Sequence, residues 1–250
     1  MALRLPTAAD FPRDAVVSIT PPPVRIDLTH AILLLHGIGD TINPFTILAT
    51  RLNLPRAVVI ALQAPKPMPF ELGGFHWGDD IVFSKDLTSA SGSSDDDEIL
   101  SPDAEFSTSR KFLGDIIEQV LEKKCGFVAA KNVILWGYGQ GGMAALDIAA
   151  CRMNLCSVIS VGGWLPGWIQ ARDIIDLPRT TSVLLCGGDT NSNITDDRVK
   201  QAEEIFKECR RLKFPMKGDF MPRTKEEMSP VLRFLLRTLI PDELEKAGYT

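Results

Sequence analysis

The sequence predicts an α/β fold in which helices cover both faces of a doubly wound, mostly parallel sheet. Two observations lead to this prediction. Short apolar segments alternate along the chain with longer segments of helical periodicity, as in folds built from repeated strand–helix units. The apolar segments are hydrophobic on both faces and several end at glycines, which is typical of parallel strands buried between two layers of helices.

Five strands are predicted from the apolar segments. They are "AILLL" (31–35), "AVVIAL" (57–62), "NVILW" (132–136), "SVISV" (157–161) and "SVLLC" (182–186). The first ends at the turn "HGIGD", and the third continues into the glycine-rich stretch "WGYGQGG" (136–142). These two turns therefore follow strands of one sheet, where parallel strands place their carboxyl ends at the same edge.

Helical periodicity occupies the segments between the strands. The predicted helices are "FTILATRLN" (45–53), "RKFLGDIIEQVLEKK" (110–124), "GMAALDIAA" (142–150), "DDRVKQAEEIFKECRRL" (196–212) and "PVLRFLLRTL" (230–239). The second helix places Phe112, Ile116 and Val120 on one face and charged residues on the other. The fourth begins with acidic residues and ends with basic ones, as the helix dipole favours.

The length and composition indicate one domain, which we assign to residues 1–250. The chain has 250 residues, of which 45% are hydrophobic, enough to bury a single large core. Residues 84–103, "SKDLTSASGSSDDDEILSPD", interrupt the strand–helix pattern with small, polar and acidic side chains. We expect this segment to be a solvated, mobile insertion.

Composition argues against several classes of function. A net charge of -5, without a basic arm, disfavours nucleic-acid binding, and no apolar run is long enough for a transmembrane segment. Five cysteines without close pairs argue against a disulfide framework, and no apolar leader follows the N-terminus. No Cys/His spacing suggests a metal site, and no motif calls for a cofactor. These features favour the cytoplasm, with the nucleus as the alternative.

Four motifs, in order, resemble the phospholipase/carboxylesterase group of α/β-hydrolases, which includes the acyl-protein thioesterases. "LLLHGIGD" is similar to the strand and oxyanion turn of that family, and "APKPMPFELGGFHWGDD" to its proline-rich loop. "NVILWGYGQGGMAAL" resembles its strand, nucleophile elbow and helix. "VGGWLPG" resembles a Ser-Gly-Trp-Leu-Pro turn, with Gly162 where serine is usual. The resemblance implies a single-domain α/β-hydrolase fold.

The same resemblance implies that two catalytic side chains are missing. Hydrolases of this type use a serine nucleophile, a histidine base and an orienting acid. The nucleophile position of the G-x-S-x-G elbow is occupied by Gly139. Aligning the acidic pair of "MPRTKEEM" places Met221 at the base position, and methionine cannot accept a proton at neutral pH. The acid position falls on Asn191 or, with a shift of one residue, on Asp189.

The oxyanion donors of the family are backbone amides, which do not depend on the lost side chains. By resemblance they belong to Gln140 and to Ile38 or Gly39. The chain has three histidines, and we expect His36 to be structural and His76 to lie near the mouth of the site. Trp77 and Trp164 are candidates for lining an acyl groove, although buried aromatic residues more often belong to the core.

The sequence therefore favours a non-catalytic member of a hydrolase family, which binds a small acyl ligand or a protein partner. The alternative is an active ester or thioester hydrolase whose catalytic groups have moved to other positions. A third hypothesis is a scaffold subunit that uses residues 84–103 as its contact.

Overall fold

A computed structural model describes residues 2–23, 27–79, 105–171, 174 and 178–240. Its strands are β1 (Val17–Thr20), β2 (His30–Leu35), β3 (Ala57–Leu62), β4 (Lys66–Pro67), β5 (Phe75–His76), β6 (Val133–Tyr138), β7 (Ser157–Val161), β8 (Arg179–Thr190) and β9 (Phe206–Lys217). Its helices are α1 (Asn43–Leu52), α2 (Ser107–Asp115), α3 (Ala129–Asn132), α4 (Gln140–Cys151), α5 (Asp196–Ile205) and α6 (Lys225–Leu239), together with a 3-10 helix (Ala8–Asp10) and a π-helix (Ile116–Glu122) that continues α2.

Seven strands form one twisted sheet in the spatial order β1-β3-β2-β6-β7-β8-β9. β1 pairs antiparallel with β3, and every other neighbouring pair in this sheet is parallel. β4 and β5 form a separate antiparallel pair. The predicted fold class is confirmed, and the parallel strands direct the turns after β2, β6, β7 and β8 to one edge of the sheet.

Alternate residues of the central strands point into two cores, one on each face of the sheet. Leu33 and Leu135 belong to the core covered by α2, the π-helix, α4 and α5, whereas Ile32 and Ile134 belong to the core covered by α1 and α6. All six residues of β2 and all six of β3 are buried. Burial on both faces explains why these strands are continuously apolar in the sequence.

The predicted helix over residues 196–212 is wrong in its second half. α5 ends at Ile205, and β9 begins at the next residue as an edge strand. β9 pairs in parallel with β8, for example Cys209 with Val183 and Leu212 with Cys186. The lysine, glutamate and arginine residues of this segment favour a helix locally, but pairing with β8 overrides that preference.

Residues 84–103, predicted to be a mobile insertion, lie outside the described residues. The chain on either side of the gap is joined by hydrogen bonds. The amide of Asp79 donates to the carbonyl of Glu105 over 2.7 Å, and the carboxylate of Asp79 accepts bonds from Ser107 and Lys66. The two ends of the gap are therefore held together at the surface of the fold. No helix within the described ranges is long and apolar enough to span a membrane.

Candidate functional site

The turn between β6 and α4 has the backbone conformation of a nucleophile elbow. Gly139 has φ 51° and ψ -119° and lies immediately before α4. Its N–H donates to the carbonyl of Val161 over 2.8 Å, and its carbonyl accepts from Met143 over 3.1 Å. A Cβ atom built on Gly139 would meet no other atom within 4 Å. The position therefore faces open space, and a side chain there would be opposed by the backbone conformation and not by a collision.

Close backbone packing around the elbow explains its run of glycines. A Cβ on Gly137 would lie 2.3 Å from Gly141, and one on Gly141 would lie 2.4 Å from the carbonyl oxygen of His36. A Cβ on Gly163, in the turn after β7, would lie 2.3 Å from the carbonyl oxygen of Gly139. Larger residues at these three positions would push the elbow away from the ends of β2 and β7.

An open cavity of about 380 Å³ lies over the elbow. It is lined by Gly37, Ile38, Gly39, Asp40, Tyr138 and Gly139. The amide of Gly39 donates to the carbonyl of Phe75 over 2.9 Å and is not available to a ligand. Within the described part of the chain, the amides of Ile38 and Gln140 have no hydrogen-bond acceptor. Gln140 is the first residue of α4, so the helix dipole adds partial positive charge beside its N–H.

His36 is buried beside this cavity, and both of its ring nitrogens are hydrogen-bonded. Nε2 accepts the amide N–H of Ala64 over 3.0 Å, so Nδ1 carries the proton and donates to the carbonyl of Gly37 over 2.7 Å. Burial lowers the pKa of His36, which keeps the ring neutral. With both nitrogens engaged, the imidazole fixes the turn that contains Ile38.

Trp77 connects the His36 turn to the elbow. Its indole N–H donates to the carbonyl of His36 over 2.9 Å, and its amide donates to the side chain of Gln140 over 2.6 Å. Trp77 and Trp164 are both buried in the core, and neither belongs to the lining of the cavity over Gly139. Their side chains support the walls of the site from behind.

The other two histidines occupy different surroundings. His30 is buried at the start of β2, at the opposite edge of the sheet from the elbow, and its Nδ1 contacts the hydroxyl of Thr29 at 2.9 Å. His76 lies in β5 next to Trp77, is buried, and its Nδ1 makes no hydrogen bond. Burial lowers the pKa of both rings, that of His30 to about 4.

Met221, which the motif alignment places at the base position, is partly buried and packs against the core beneath α6. Two residues earlier, Asp219 turns back toward the loop after β8. Its carboxylate accepts hydrogen bonds from the amide of Gly188 (3.0 Å), the hydroxyl of Ser192 (2.6 Å) and the amide of Asn193 (2.6 Å). The carboxylate of Asp219 therefore joins its own loop, called the base loop because it carries the predicted base position Met221, to the loop that follows β8.

Gly162 and Asp219 depend on each other sterically. A Cβ on Gly162 would lie 2.6 Å from the Cβ of Asp219, too close for both to remain in place. Gly162 also has φ 69°, a conformation that glycine adopts without strain. The carbonyl of Asp219 accepts a hydrogen bond from the hydroxyl of Tyr138 over 3.1 Å, which brings the base loop against the wall of the cavity.

The two candidates for the acid lie at the exposed end of β8. Asp189 is exposed, and Asn191 is exposed with φ 51°. Within the described residues neither side chain makes a hydrogen bond. The carboxylate that accepts hydrogen bonds from the loop after β8 is that of Asp219, a residue that the motif alignment did not identify.

The family model for the phospholipase/carboxylesterase family matches residues 24–239 of this chain. The chain belongs to that family. Among solved structures, acyl-protein thioesterase 2 of Zea mays superposes with a TM-score of 0.65 at 20% identity, covering 90% of this chain and 99% of the other. A carboxylesterase of Bacillus cereus superposes with a TM-score of 0.63 at 13% identity, covering 90% and 94%. At such identities these structures share the fold alone.

Two curated relatives are also similar in sequence. An uncharacterized hydrolase of Schizosaccharomyces pombe is 27% identical over 144 residues, which are 55% of this chain and 54% of the relative. An uncharacterized hydrolase of Mycosarcoma maydis is 30% identical over 142 residues, which are 54% and 49% of the two chains. The chain thus spans about half the length of the curated relatives it matches.

Two other potentially nucleophilic residues of this phospholipase/carboxylesterase member, Cys186 and Ser160, are buried. Cys186 is the last residue of β8 that pairs with β7, and it lies deep in the core. Burial there raises the pKa of the thiol and keeps it protonated. The hydroxyl of Ser160, behind the elbow, is buried and donates to the carbonyl of Gly163 over 2.7 Å. The described residues contain no cluster of three His, Cys, Asp or Glu side chains that could hold a metal ion.

Three residues that contribute side chains to the site were not identified from the sequence: Asp40, Tyr138 and Asp219. Tyr138 precedes the elbow glycine directly, so its place beside the cavity could have been inferred from the motif. Asp40 is the last residue of the turn "HGIGD", so its place beside the cavity could also have been inferred from the motif. Asp219 carried no such signal, because its three partners lie 26 to 31 residues earlier in the chain.

Proposed function

We propose that this member of the phospholipase/carboxylesterase family is a pseudoenzyme that binds an uncharged acyl carbonyl without hydrolysing it. The observation that carries the proposal is Gly139, which has the backbone conformation of the nucleophile elbow but no side chain. Met221 at the base position supports it, because its thioether cannot take a proton from an attacking group.

The free amides of Ile38 and Gln140 support retention of a binding function. Two N–H donors beside an open cavity can hold a carbonyl oxygen in the way an oxyanion hole does. Asp40 also lines the cavity, and its carboxylate opposes a negatively charged ligand. The ligand class favoured by this combination is an ester, thioester or amide, in preference to a free carboxylate.

The absence of catalysis is tested with a p-nitrophenyl ester, an acyl thioester and a fluorophosphonate probe on the purified protein. We expect no turnover above the background and no covalent labelling. Losing one member of a triad leaves about 10³–10⁴-fold catalysis over water, far below that of a dedicated hydrolase. Turnover of several per second, or labelling of a serine, would disprove the pseudoenzyme proposal.

Ligand preference is tested by titrating p-nitrophenyl butyrate and butyrate while following the amide resonances of Ile38 and Gln140. We expect the ester to shift both resonances and butyrate to bind more weakly. Asp40→Asn should strengthen butyrate binding roughly fivefold, because it removes a repulsion of about 1 kcal/mol in a partly solvated cavity. Asp197→Asn is the matched control, since Asp197 is 96% exposed at the start of α5. Equal effects of the two variants would contradict the role of Asp40.

The alternative is an active hydrolase with relocated groups, and one observation favours it. The Nδ1 atom of His76 is buried without a hydrogen bond, and His76 precedes Trp77, which contacts the elbow helix. In the described residues no hydroxyl or thiol is hydrogen-bonded to this ring. His76→Gln separates the two proposals: relocated chemistry predicts that the wild type hydrolyses p-nitrophenyl butyrate and that His76→Gln does not, whereas the pseudoenzyme proposal predicts the same background rate for both.

A further inference from the structure

A cleft rich in arginine lies between the edge strand β9 and the last helix α6. It consists of two adjoining hollows of about 240 and 380 Å³. The hollows share Arg210, Phe234 and Arg237, and Arg233 lines the first of them. Arg233 and Arg237 are four residues apart on α6, so their side chains project from the same face of the helix.

This cleft is distinct from the cavity over Gly139. The second hollow is lined by Cys156, Ser182 and Glu208, which lie just before β7 and near the starts of β8 and β9. The elbow follows the end of β6, and these strands are parallel. The cleft therefore reaches the opposite edge of the sheet from the elbow, and the proposed acyl site does not use it.

Part of the positive charge in the cleft is uncompensated. Arg210 is paired with Glu208 over 2.6 Å, and Glu208 also accepts the hydroxyl of Ser182 over 2.7 Å. In the part of the chain that the structure describes, Arg233 and Arg237 form no ion pair. Both are exposed, although the protein as a whole is acidic. Arg233 and Arg237 thus face solvent without a described carboxylate within ion-pair distance. The hydrogen bond from Ser182 and the nearby charges of Arg210 and Arg237 lower the pKa of Glu208, so Glu208 partly offsets the charge of Arg237 as well as that of Arg210.

We propose that this cleft binds the phosphoryl group of a small soluble phosphomonoester. Guanidinium groups are planar donors that match the geometry of phosphate oxygens, and adjacent arginines can share one phosphoryl group. Leu184, Leu212 and Phe234 form an apolar floor that can contact the organic part of the ligand. None of the large apolar side chains exposed in the described residues lines the cleft, which disfavours a membrane surface as the partner.

The test is a titration with inorganic phosphate and with phenyl phosphate at constant ionic strength. Calorimetry measures affinity, and amide resonances of α6 and β9 report the location. We expect both ligands to shift these resonances, and phenyl phosphate to bind several-fold more tightly because its ring contacts the apolar floor. Constant ionic strength, maintained with chloride, separates a defined site from general screening.

Two matched double variants decide the outcome. Arg233→Gln with Arg237→Gln should weaken phenyl phosphate at least tenfold, and Arg233→Gln alone at least threefold. Lys207→Gln with Lys213→Gln removes the same charge from exposed positions of β9 outside the cleft and should change the affinity less than threefold. The arginines are exposed, so circular dichroism should show unchanged folding.

Three results would overturn the proposal. They are the absence of resonance shifts at 10 mM ligand, equal weakening by the arginine and lysine variants, and binding only to vesicles that contain phosphatidylserine. The first excludes a phosphoryl site, the second indicates diffuse electrostatic attraction, and the third identifies a lipid surface. Each result is independent of the esterase assays on the Gly139 cavity.

Discussion

Replacing Gly139 with serine tests whether the elbow lacks only its nucleophile. A Cβ at this position meets nothing within 4 Å, so the substitution introduces no collision. The cost comes from the backbone, whose φ of 51° disfavours any residue with a Cβ atom. Such strain costs about 1–3 kcal/mol, which for a domain of this size lowers Tm by roughly 2–12 °C.

The proposed function predicts only a small gain in activity from Gly139→Ser, because Met221 at the proposed base position cannot accept a proton. General-base assistance contributes about 10²–10⁴-fold, and Met221 supplies none of it. Hydrolysis of p-nitrophenyl butyrate should therefore remain within about tenfold of the wild-type rate. Gly139→Ala is the control, since it carries the same backbone strain without a hydroxyl. The two variants should have equal Tm values, both below that of the wild type.

Adding Met221→His to Gly139→Ser places an imidazole at the proposed base position, and the esterase activity of the double variant should exceed that of Gly139→Ser at least tenfold. Two outcomes would refute this reasoning. If Gly139→Ser alone exceeds Gly139→Ala by a thousandfold, a base already lies within reach and Met221 is not at the base position. If neither single variant lowers Tm, the elbow is not strained for residues other than glycine.

Three further predictions concern stability. Burial lowers the pKa of His30 to about 4, so the unfolded chain binds a proton at this residue first as the pH falls. His30 should therefore account for about 3 kcal/mol of the decrease in unfolding free energy between pH 7 and pH 4, and the decrease measured by urea denaturation should be smaller by that amount in His30→Gln. Asp219→Ala removes the acceptor of three hydrogen bonds and should cost about 2–3 kcal/mol, whereas Asp219→Asn, which keeps one oxygen, should cost less. Replacing residues 80–104 with two glycines should change Tm by less than 5 °C, because Asp79 and Glu105 are already hydrogen-bonded to each other; a larger loss would mean that the segment packs on the fold.

The central strands were predictable because strands that are buried on both faces of the sheet appear in the sequence as continuous apolar segments. The predicted strand 57–62 coincides with β3, all of whose residues are buried. Elements at the margin of the sheet carried weaker signals. β1 was not predicted, since it has four residues and none of them is buried. β9 was mistaken for helix because an edge strand that carries lysine and arginine has no continuous apolar pattern.

The local parts of the site were predictable, and the contacts between distant loops were not. The elbow and the turn after β2 are short motifs with fixed backbone geometry, so the positions of Gly139 and Ile38 follow from the sequence. The choice between the amides of Ile38 and Gly39 required the structure, because it depends on the hydrogen bond from Gly39 to Phe75. The role of Asp219 likewise depends on a loop brought near by the pairing of β8 with β9.

The clamp formed by Asp219 would allow the cavity of the proposed pseudoenzyme to persist without a catalytic triad. In a working triad the hydrogen bond between acid and imidazole joins the loop of the acid to the loop of the base. Here Asp219 joins the same two loops through donors at 2.6 to 3.0 Å, and Tyr138 ties the base loop to the cavity wall. The loops are therefore held by contacts that need neither serine nor histidine. Because Gly162 leaves room for Asp219, a serine at position 162 would collide with Asp219 and displace the clamp, so the glycine at position 162 and the Asp219 clamp depend on each other.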